Sequence, residues 1–253
     1  MHNLKPKKRL GQHFLHSKTI AQKIVGLLDA NETQTVAEIG PGKGILSQFL
    51  FEKYPKLWLI EVDPEAVEFL YANFPNQNLQ IIHEDVLKVN FNEFLENDAS
   101  LIGNLPYNIS SPIFFQMLEY RALFKEGVFM IQKEVAQRIC ANHGNKTYGI
   151  LSVLIGCFYE RKYAFSVSPG AFFPPPKVIS GVIKLKRKEN IPNINFNKFK
   201  HLVKSAFAKR RKTLRNALKG FSIRDFPEKK ELLSKRAEQL SIEQFVQLLT
   251  FIE

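Results

Sequence analysis

Leu101-Ile102-Gly103-Asn104-Leu105-Pro106-Tyr107-Asn108 runs from apolar residues into a side-chain amide, a proline and an aromatic ring. An apolar run stopped by Gly and Pro reads as a buried strand opening into a tight loop. In an open α/β sheet, ligands bind at the loops that follow the carboxyl ends of strands. Asn104 carries an acceptor and a donor on one planar group, Pro106 stiffens the loop and Tyr107 offers a flat face. That set suits a planar ring bearing an amine, such as adenine. It equally suits an ordinary turn with Tyr107 in the core, and these residues alone do not separate the two.

Upstream, Thr35 to Ile39 is a short apolar strand, followed by Gly40-Pro41-Gly42-Lys43-Gly44 and a helical pattern through Ile45, Leu46, Phe49 and Leu50. Glycines permit a tight turn and a close backbone approach to a ligand. The spacing is neither the dinucleotide fingerprint nor a Walker loop, so no phosphate cradle is indicated. A second strand, Leu57 to Asp63, contains Glu61, 21 residues after Gly40 (61 − 40). At that distance an acid ending the second strand of a nucleotide-type fold accepts hydrogen bonds from ribose hydroxyls. A third strand, Leu79 to His83, is followed by Glu84 and Asp85, placed to meet a base amine or a backbone amide. Strands continue at Ser100–Gly103 and Gly127–Gln132, with helices between them. Cys157–Val167 and Val178–Leu185 read as a final pair of strands. The expected fold is α/β: a mostly parallel sheet covered on both faces, with an antiparallel addition at one edge. The loop Phe172-Phe173-Pro174-Pro175-Pro176-Lys177-Val178 ahead of the last strand is stiff and extended.

Charge divides the chain. Residues 1–185 carry 19 Lys/Arg against 17 Asp/Glu, whereas residues 186–253 carry 17 against 7, within an overall +12. A near-neutral front and a basic back predict two modules, residues 1–187 and 188–253, the second facing a polyanion. Asn190 to Asn197 reads as the linker, and the residues after it as helices. Phe199, Leu202, Val203 and Phe207 form one helical stripe, and the run from Ala208 to Lys219 reads as a basic helix bearing Lys209, Arg210, Arg211, Lys212 and Arg215. The N-terminal arm is also basic, with Lys7, Lys8 and Arg9. Cys140 and Cys157 have no CxxC spacing, and no apolar run reaches membrane-span length. The expectation is a reduced, cytoplasmic protein that uses no metal.

Six segments carry a resemblance: Gly11-Gln12-His13-Phe14-Leu15, Glu38 to Gly44, Glu61, Asp85, Asn104 to Pro112, and Phe172 to Val178. With them the chain resembles the ribosomal RNA adenine N6,N6-dimethyltransferases, which are class I S-adenosylmethionine methyltransferases, over nearly its whole length. Gln132 to Val135, Tyr148 to Ser152 and Ala206 to Leu218 resemble the bacterial small-subunit branch rather than the macrolide-resistance branch. The small-subunit branch most often has Asn where this chain has His13.

The resemblance implies a Rossmann-like, mostly parallel seven-stranded sheet with a small all-α C-terminal domain. It implies S-adenosylmethionine as cofactor. His13, Leu15, Gly40, Gly42, Glu61, Val62, Asp85, Val86 and Asn104 would hold it. Asn104, Leu105, Pro106, Tyr107 and Phe172 would receive the target adenine, with Phe172 facing Tyr107 across the base. Lys7, Lys8, Arg9, Lys209, Arg210, Arg211, Lys212 and Arg215 would contact RNA. The implied reaction is dimethylation of two adjacent adenosines in a hairpin loop near the 3′ end of small-subunit rRNA, on the immature small subunit, by a monomer without membrane or metal partners. A non-catalytic RNA-binding factor would be expected to have degraded Gly40–Gly44 or Asn104–Tyr107. A DNA adenine methyltransferase often has Asp at the Asn104 position and a separate target-recognition domain.

Overall fold

A computed structural model describes residues 4–32, 34–75 and 79–253. The elements leading to the last strand are β1 (Phe14–Leu15), α1 (Lys18–Val25), β2 (Val36–Ile39), α2 (Ser47–Phe51), β3 (Leu57–Glu61), α3 (Pro64–Asn73), β4 (Gln80–His83), β5 (Ala99–Asn104), α4 (Ser110–Glu119), β6 (Phe124–Gln132), α5 (Lys133–Cys140), α6 (Ile150–Phe158), β7 (Tyr159–Val167), β8 (Phe172–Phe173) and β9 (Ser180–Arg187). They are followed by α7 (Phe196–Ala208), α8 (Leu214–Ala217), α9 (Lys229–Ser234) and α10 (Ile242–Thr250).

Seven strands form one sheet in the order β4-β3-β2-β5-β6-β9-β7. β2 pairs in parallel with both β3 and β5, and β6 pairs antiparallel with β9, which is the edge addition the sequence predicts. β2 is buried along its whole length, as is β5 up to Asn104, because helices cover both faces. Val36, Leu57, Leu59, Ile102, Val128, Met130 and Val182 of the sheet pack in one core with Ile24 of α1 and Leu50 of α2. Chain order reverses between β2 and β5, and a crevice opens beyond the strand ends at such a switch point. The register puts Ile39 beside Gly103, so the glycine loop and Asn104 leave the sheet side by side.

The chain divides into two compact units, Met1–Ala136 with Lys162–Arg187, and Gln137–Arg161 with Lys188–Glu253. Residues 137–161, expected in the first module, thus group with the helical tail. In that second unit Asn195 caps α7 by accepting from the Lys198 amide at 3.0 Å. The predicted stripe Phe199, Leu202, Val203 and Phe207 is buried, and Phe207 stacks on Phe245 of α10 with ring centroids 6.0 Å apart.

Two elements depart from expectation. The run 208–219 is not one helix. α7 stops at Ala208, Lys209 leaves helical geometry (φ −119°, ψ 58°), and helix resumes only at Leu214. A continuous helix would set Lys209 against Lys212 and Arg211 against Arg215 at like-charge spacings, whereas cations just past a helix C-terminus meet its exposed carbonyls. The second departure is a two-stranded ribbon of β1 and β8, pairing Phe14 with Phe173 and Leu15 with Phe172.

Glu126 of β6 braces the sheet against the turn after α1. Its buried carboxylate accepts from the Asp29 amide (3.0 Å), the Ala30 amide (2.8 Å) and Ser100 Oγ (3.0 Å). Glu126→Ala strands these donors and should lower unfolding stability by about 3 kcal/mol. Urea denaturation checks this; a loss below about 1 kcal/mol would mean that the brace is dispensable.

Candidate active site

The crevice wall begins at the glycine loop after β2. Gly40 adopts φ +66°, and a Cβ there would meet nothing within 4 Å, so its backbone borders open space. Gly42 (φ +55°) donates its amide to Glu61 Oε2 at 3.0 Å, and a Cβ on it would strike the Phe14 ring at 2.9 Å. Glu61 ends β3 and is 4% exposed. Its Oε1 accepts from the Asp63 amide at 2.9 Å. Burial raises its pKa above the ordinary carboxylate range, and the amide hydrogen bonds from Asp63 and Gly42 oppose that rise. Just past the strand, Val62 is 44% exposed. After β4, Asp85 spends Oδ1 on the Leu87 amide (3.0 Å) in a short 3₁₀ turn that buries Val86.

Asn104 ends β5. Its Nδ2 donates to the His13 carbonyl at 3.0 Å, so the amide is oriented with Oδ1 as its acceptor. The next amide, Leu105, donates to Met130 O at 3.0 Å and locks the loop onto β6. Tyr107 is held at both ends. Its hydroxyl lies 2.6 Å from Ser180 Oγ, and its ring stacks on His13 with centroids 5.6 Å apart and planes 27° apart. His13 Nδ1 lies 2.8 Å from the Pro174 carbonyl, which can only accept, so the proton sits on that nitrogen. Asp85, Val86, Val62, Glu61, Gly40, Gly42, His13 and the loop Asn104-Leu105-Pro106-Tyr107 all line one cleft, with Arg9 at its border.

Two sequence-predicted site residues, Phe172 and Lys7, do not line this cleft, and Leu15 lines a small neighbouring pocket with Gly40 and Asn104. Leu15 and Phe172 are each 3% exposed and belong to the core under the sheet. They form a cross-strand pair on the inner face of the β1–β8 ribbon; successive residues of a strand face opposite ways, so Phe14 and Phe173 take the outer face. Phe14 lines the cleft and Phe173 is 62% exposed. Lys7, expected on RNA, is instead paired with Asp63 and Glu65 at 2.6 and 3.0 Å. Lys8 and Arg9 are exposed, as are Lys209, Arg210, Arg211, Lys212 and Arg215 in the second unit. Arg210 also donates to the Lys146 carbonyl at 2.6 Å, fixing the basic turn to the loop before α6.

No sequence motif gives a role to Gln12, Glu38 or Asp63. Glu38 is the most telling: an acid inside the otherwise apolar Val36-Ala37-Glu38-Ile39, and that pattern was the available signal. It is buried, and its Oε2 accepts from Ser47 Oγ at 2.6 Å. Burial pushes its pKa from the ordinary 4.5 to about 8, against the Ser47 hydrogen bond and with help from nearby Glu61. Glu38 is therefore largely neutral at pH 7 and leaves Glu61 as the main anion of the pair.

A family model described as ribosomal RNA adenine dimethylase matches residues 3–253. The chain belongs to the ribosomal RNA adenine dimethylase family. Among curated relatives, it is 48% identical to the ribosomal RNA small subunit methyltransferase A of Flavobacterium johnsoniae, over all of this chain and 98% of that one. The protein of the same description from Porphyromonas gingivalis is 43% identical, with both chains covered in full. Among solved structures, a dimethyladenosine transferase from Plasmodium falciparum superposes with a TM-score of 0.82 at 29% identity, covering 94% of this chain and 96% of that one. The 23S rRNA methyltransferase ErmE superposes with a TM-score of 0.74 at 20% identity, covering 94% and 99%, and so shares the fold. The family's fold is the class I methyltransferase sheet seen here. No helix among the described residues is long and apolar enough to cross a membrane.

A carboxyl whose folded pKa lies above its unfolded value opposes folding increasingly as pH climbs between the two. Glu38→Gln removes that penalty while Ser47 can still donate to the amide oxygen. The stability gained by the substitution should be near zero below pH 4.5 and grow up to about pH 8. Urea midpoints across that range test the sign; a gain that shrinks with pH would contradict a buried, neutral Glu38.

Proposed function

We propose that this chain binds S-adenosylmethionine in the cleft and dimethylates the N6 amines of two adjacent adenosines in the 3′-terminal hairpin loop of small-subunit rRNA, as a step in small-subunit biogenesis. The observation that carries the reading is the orientation of Asn104. Its Nδ2 is committed to the His13 carbonyl, so the oxygen is its free acceptor beside the glycine loop.

The residues suit the cofactor. Gly40 borders open space where any side chain would intrude, which fits close passage of the methionine portion. Each Glu61 oxygen accepts one backbone amide and retains a lone-pair direction for a ribose hydroxyl. Exposed Val62 and buried Val86 offer apolar surface to a base, and Asp85 Oδ2 can take its amine. When bound, the cofactor supplies an electrophilic methyl group on a sulfonium.

In-line displacement demands alignment above all. The attacking adenine nitrogen has its lone pair delocalised into the ring. Asn104 Oδ1 and the Leu105 carbonyl accept its two N–H groups, draw the amine out of the ring plane and localise the lone pair as the transition state forms. Tyr107, held by Ser180 and His13, presents a fixed face to the base; stacking of this kind contributes on the order of 1–3 kcal/mol. The alkylated amine is acidic and releases its proton to solvent, so the site needs no strong base. Each amine takes two methyls, so the pocket must also admit the monomethylated base. The target must leave its stack, which favours a loop.

The exposed cations Lys209, Arg211, Lys212 and Arg215 grip phosphate without reading sequence. Charge reversal of Arg211 and Lys212 together should flatten the dependence of log K on log salt by about two, and an unchanged slope would remove them from the interface. Asn104→Ala should abolish transfer while S-adenosylmethionine still binds in calorimetry; turnover near wild type would sink the assigned role. The whole reading is tested by incubating the chain with S-adenosylmethionine and unmethylated small subunits. Mass spectrometry should find N6,N6-dimethyladenosine at the two loop positions. Product on large-subunit RNA alone would reassign the substrate.

A further inference from the structure

Asp63 has no exposed surface, yet its carboxylate gathers three donors from two parts of the chain. Lys7 Nζ reaches Oδ1 at 2.6 Å, Gln12 Nε2 reaches Oδ2 at 3.0 Å, and the Glu65 amide donates to Oδ1 at 3.1 Å as α3 begins. Lys7 and Gln12 are also tied to each other, the Lys7 amide donating to Gln12 Oε1 at 2.8 Å. The segment between them makes a 3₁₀ turn at Lys8–Leu10 and reverses at Gly11 (φ +62°). Both ends of this small loop therefore land on one buried carboxylate, and its residues Arg9 to Gln12 line the cleft. On its other side Asp63 donates its amide to Glu61 Oε1, and Glu61 holds the Gly42 amide. One chain of polar contacts thus runs from the arm through Asp63 and Glu61 to the glycine loop.

We propose that Lys7, Gln12 and Asp63 are positioning residues of the cofactor site, a latch that fastens the N-terminal arm as one wall of the cleft, and that the Lys7 charge is spent there rather than on RNA. The inference rests on the reading of the cleft as the S-adenosylmethionine site. Two carboxylates lie within 3.0 Å of the Lys7 ammonium, whose side chain is 21% exposed. A phosphate approaching this ammonium would also face the two carboxylate anions beside it. The same contacts hold Lys7 above, and Asp63 below, their ordinary pKa; for Asp63, burial works the other way and is outweighed. Withdrawing Lys7 leaves a buried anion short of a partner, and the arm gains freedom that the cofactor must then remove on binding.

The test compares the full chain with Lys7→Met, which keeps most of the apolar stem, and Lys7→Arg, which restores the charge. Trypsin cleavage after Lys8 and Arg9 in the ligand-free protein reports whether the arm is fastened. Calorimetry with S-adenosylmethionine reports the cofactor wall. The salt slope of binding to small-subunit rRNA reports phosphate contacts. Lys7→Met should be cleaved several-fold faster, bind cofactor about tenfold more weakly and keep the wild-type slope, with Lys7→Arg restoring the first two. Lys8→Met serves as the comparison and should lower the slope by about one. Unchanged cofactor affinity with a reduced slope in Lys7→Met would overturn the proposal and return Lys7 to the RNA. Unchanged cleavage would overturn the latch. A wild-type chain that binds no S-adenosylmethionine would overturn the cofactor reading and the wall with it, whereas the cleavage arm would still decide whether Lys7 fastens the arm.

Discussion

The hydrogen bond from Asn104 Nδ2 to the His13 carbonyl is the constraint on which the site depends. A side-chain amide is nearly symmetric in shape and can present either end to a ligand. Committing the nitrogen to a backbone carbonyl, which only accepts, decides the matter. The same bond joins two segments far apart in sequence, the end of β5 and the N-terminal arm. The His13 ring then stacks on Tyr107 and donates to Pro174, so one residue of the arm touches the target loop and the loop before β9. A displacement of the arm would release the amide, the ring and the cleft wall together.

Around the glycine loop, burial and the hydrogen-bond donors within reach set how each acid carries its charge. Glu38 lies inside β2 and Glu61 ends the neighbouring parallel strand β3, both nearly inaccessible to water. Two carboxylates so placed do not ionise equally. Glu38, with the Ser47 hydroxyl as its partner, holds its proton to about pH 8. Glu61, with two backbone amides, is the better stabilised anion, suited to ribose hydroxyls. Asp63, two residues further on, keeps its charge because Lys7 and Gln12 supply donors to both of its oxygens. The three acids of this short region thus differ in how well their charge is stabilised, each according to its burial and the donors within reach.

The switch point explains why the chemistry gathers where it does. β2 and β5 are neighbours in the sheet although β3 and β4 lie between them in the chain. Their continuation loops diverge from adjacent strands and leave a crevice that no side chain has to be removed to create. The basic turn at Lys209–Lys212 follows the end of α7 in the other compact unit.

Much of this was readable from the amino-acid order, for a physical reason. Strand, glycine turn, helix, strand and acid are local signals, and a parallel sheet built from such units places every strand end on one rim. Gly40, Glu61, Asp85 and Asn104 could therefore be expected at one rim, where they line one cleft, and the antiparallel edge and the buried stripe of α7 were equally legible. What sequence order could not decide were contacts between distant segments. Leu15 and Phe172 turn inward because residues 14–15 pair with residues 172–173, a register that no local pattern encodes. Lys7 looks like any other lysine of a basic arm until Asp63 lies 2.6 Å away. The helix expected through Lys209–Thr213 breaks where like charges would align, and apolar periodicity alone does not register that repulsion. Local chemistry determined which residues could serve the site; the tertiary structure decided which of them face it, because facing is set by partners far along the chain.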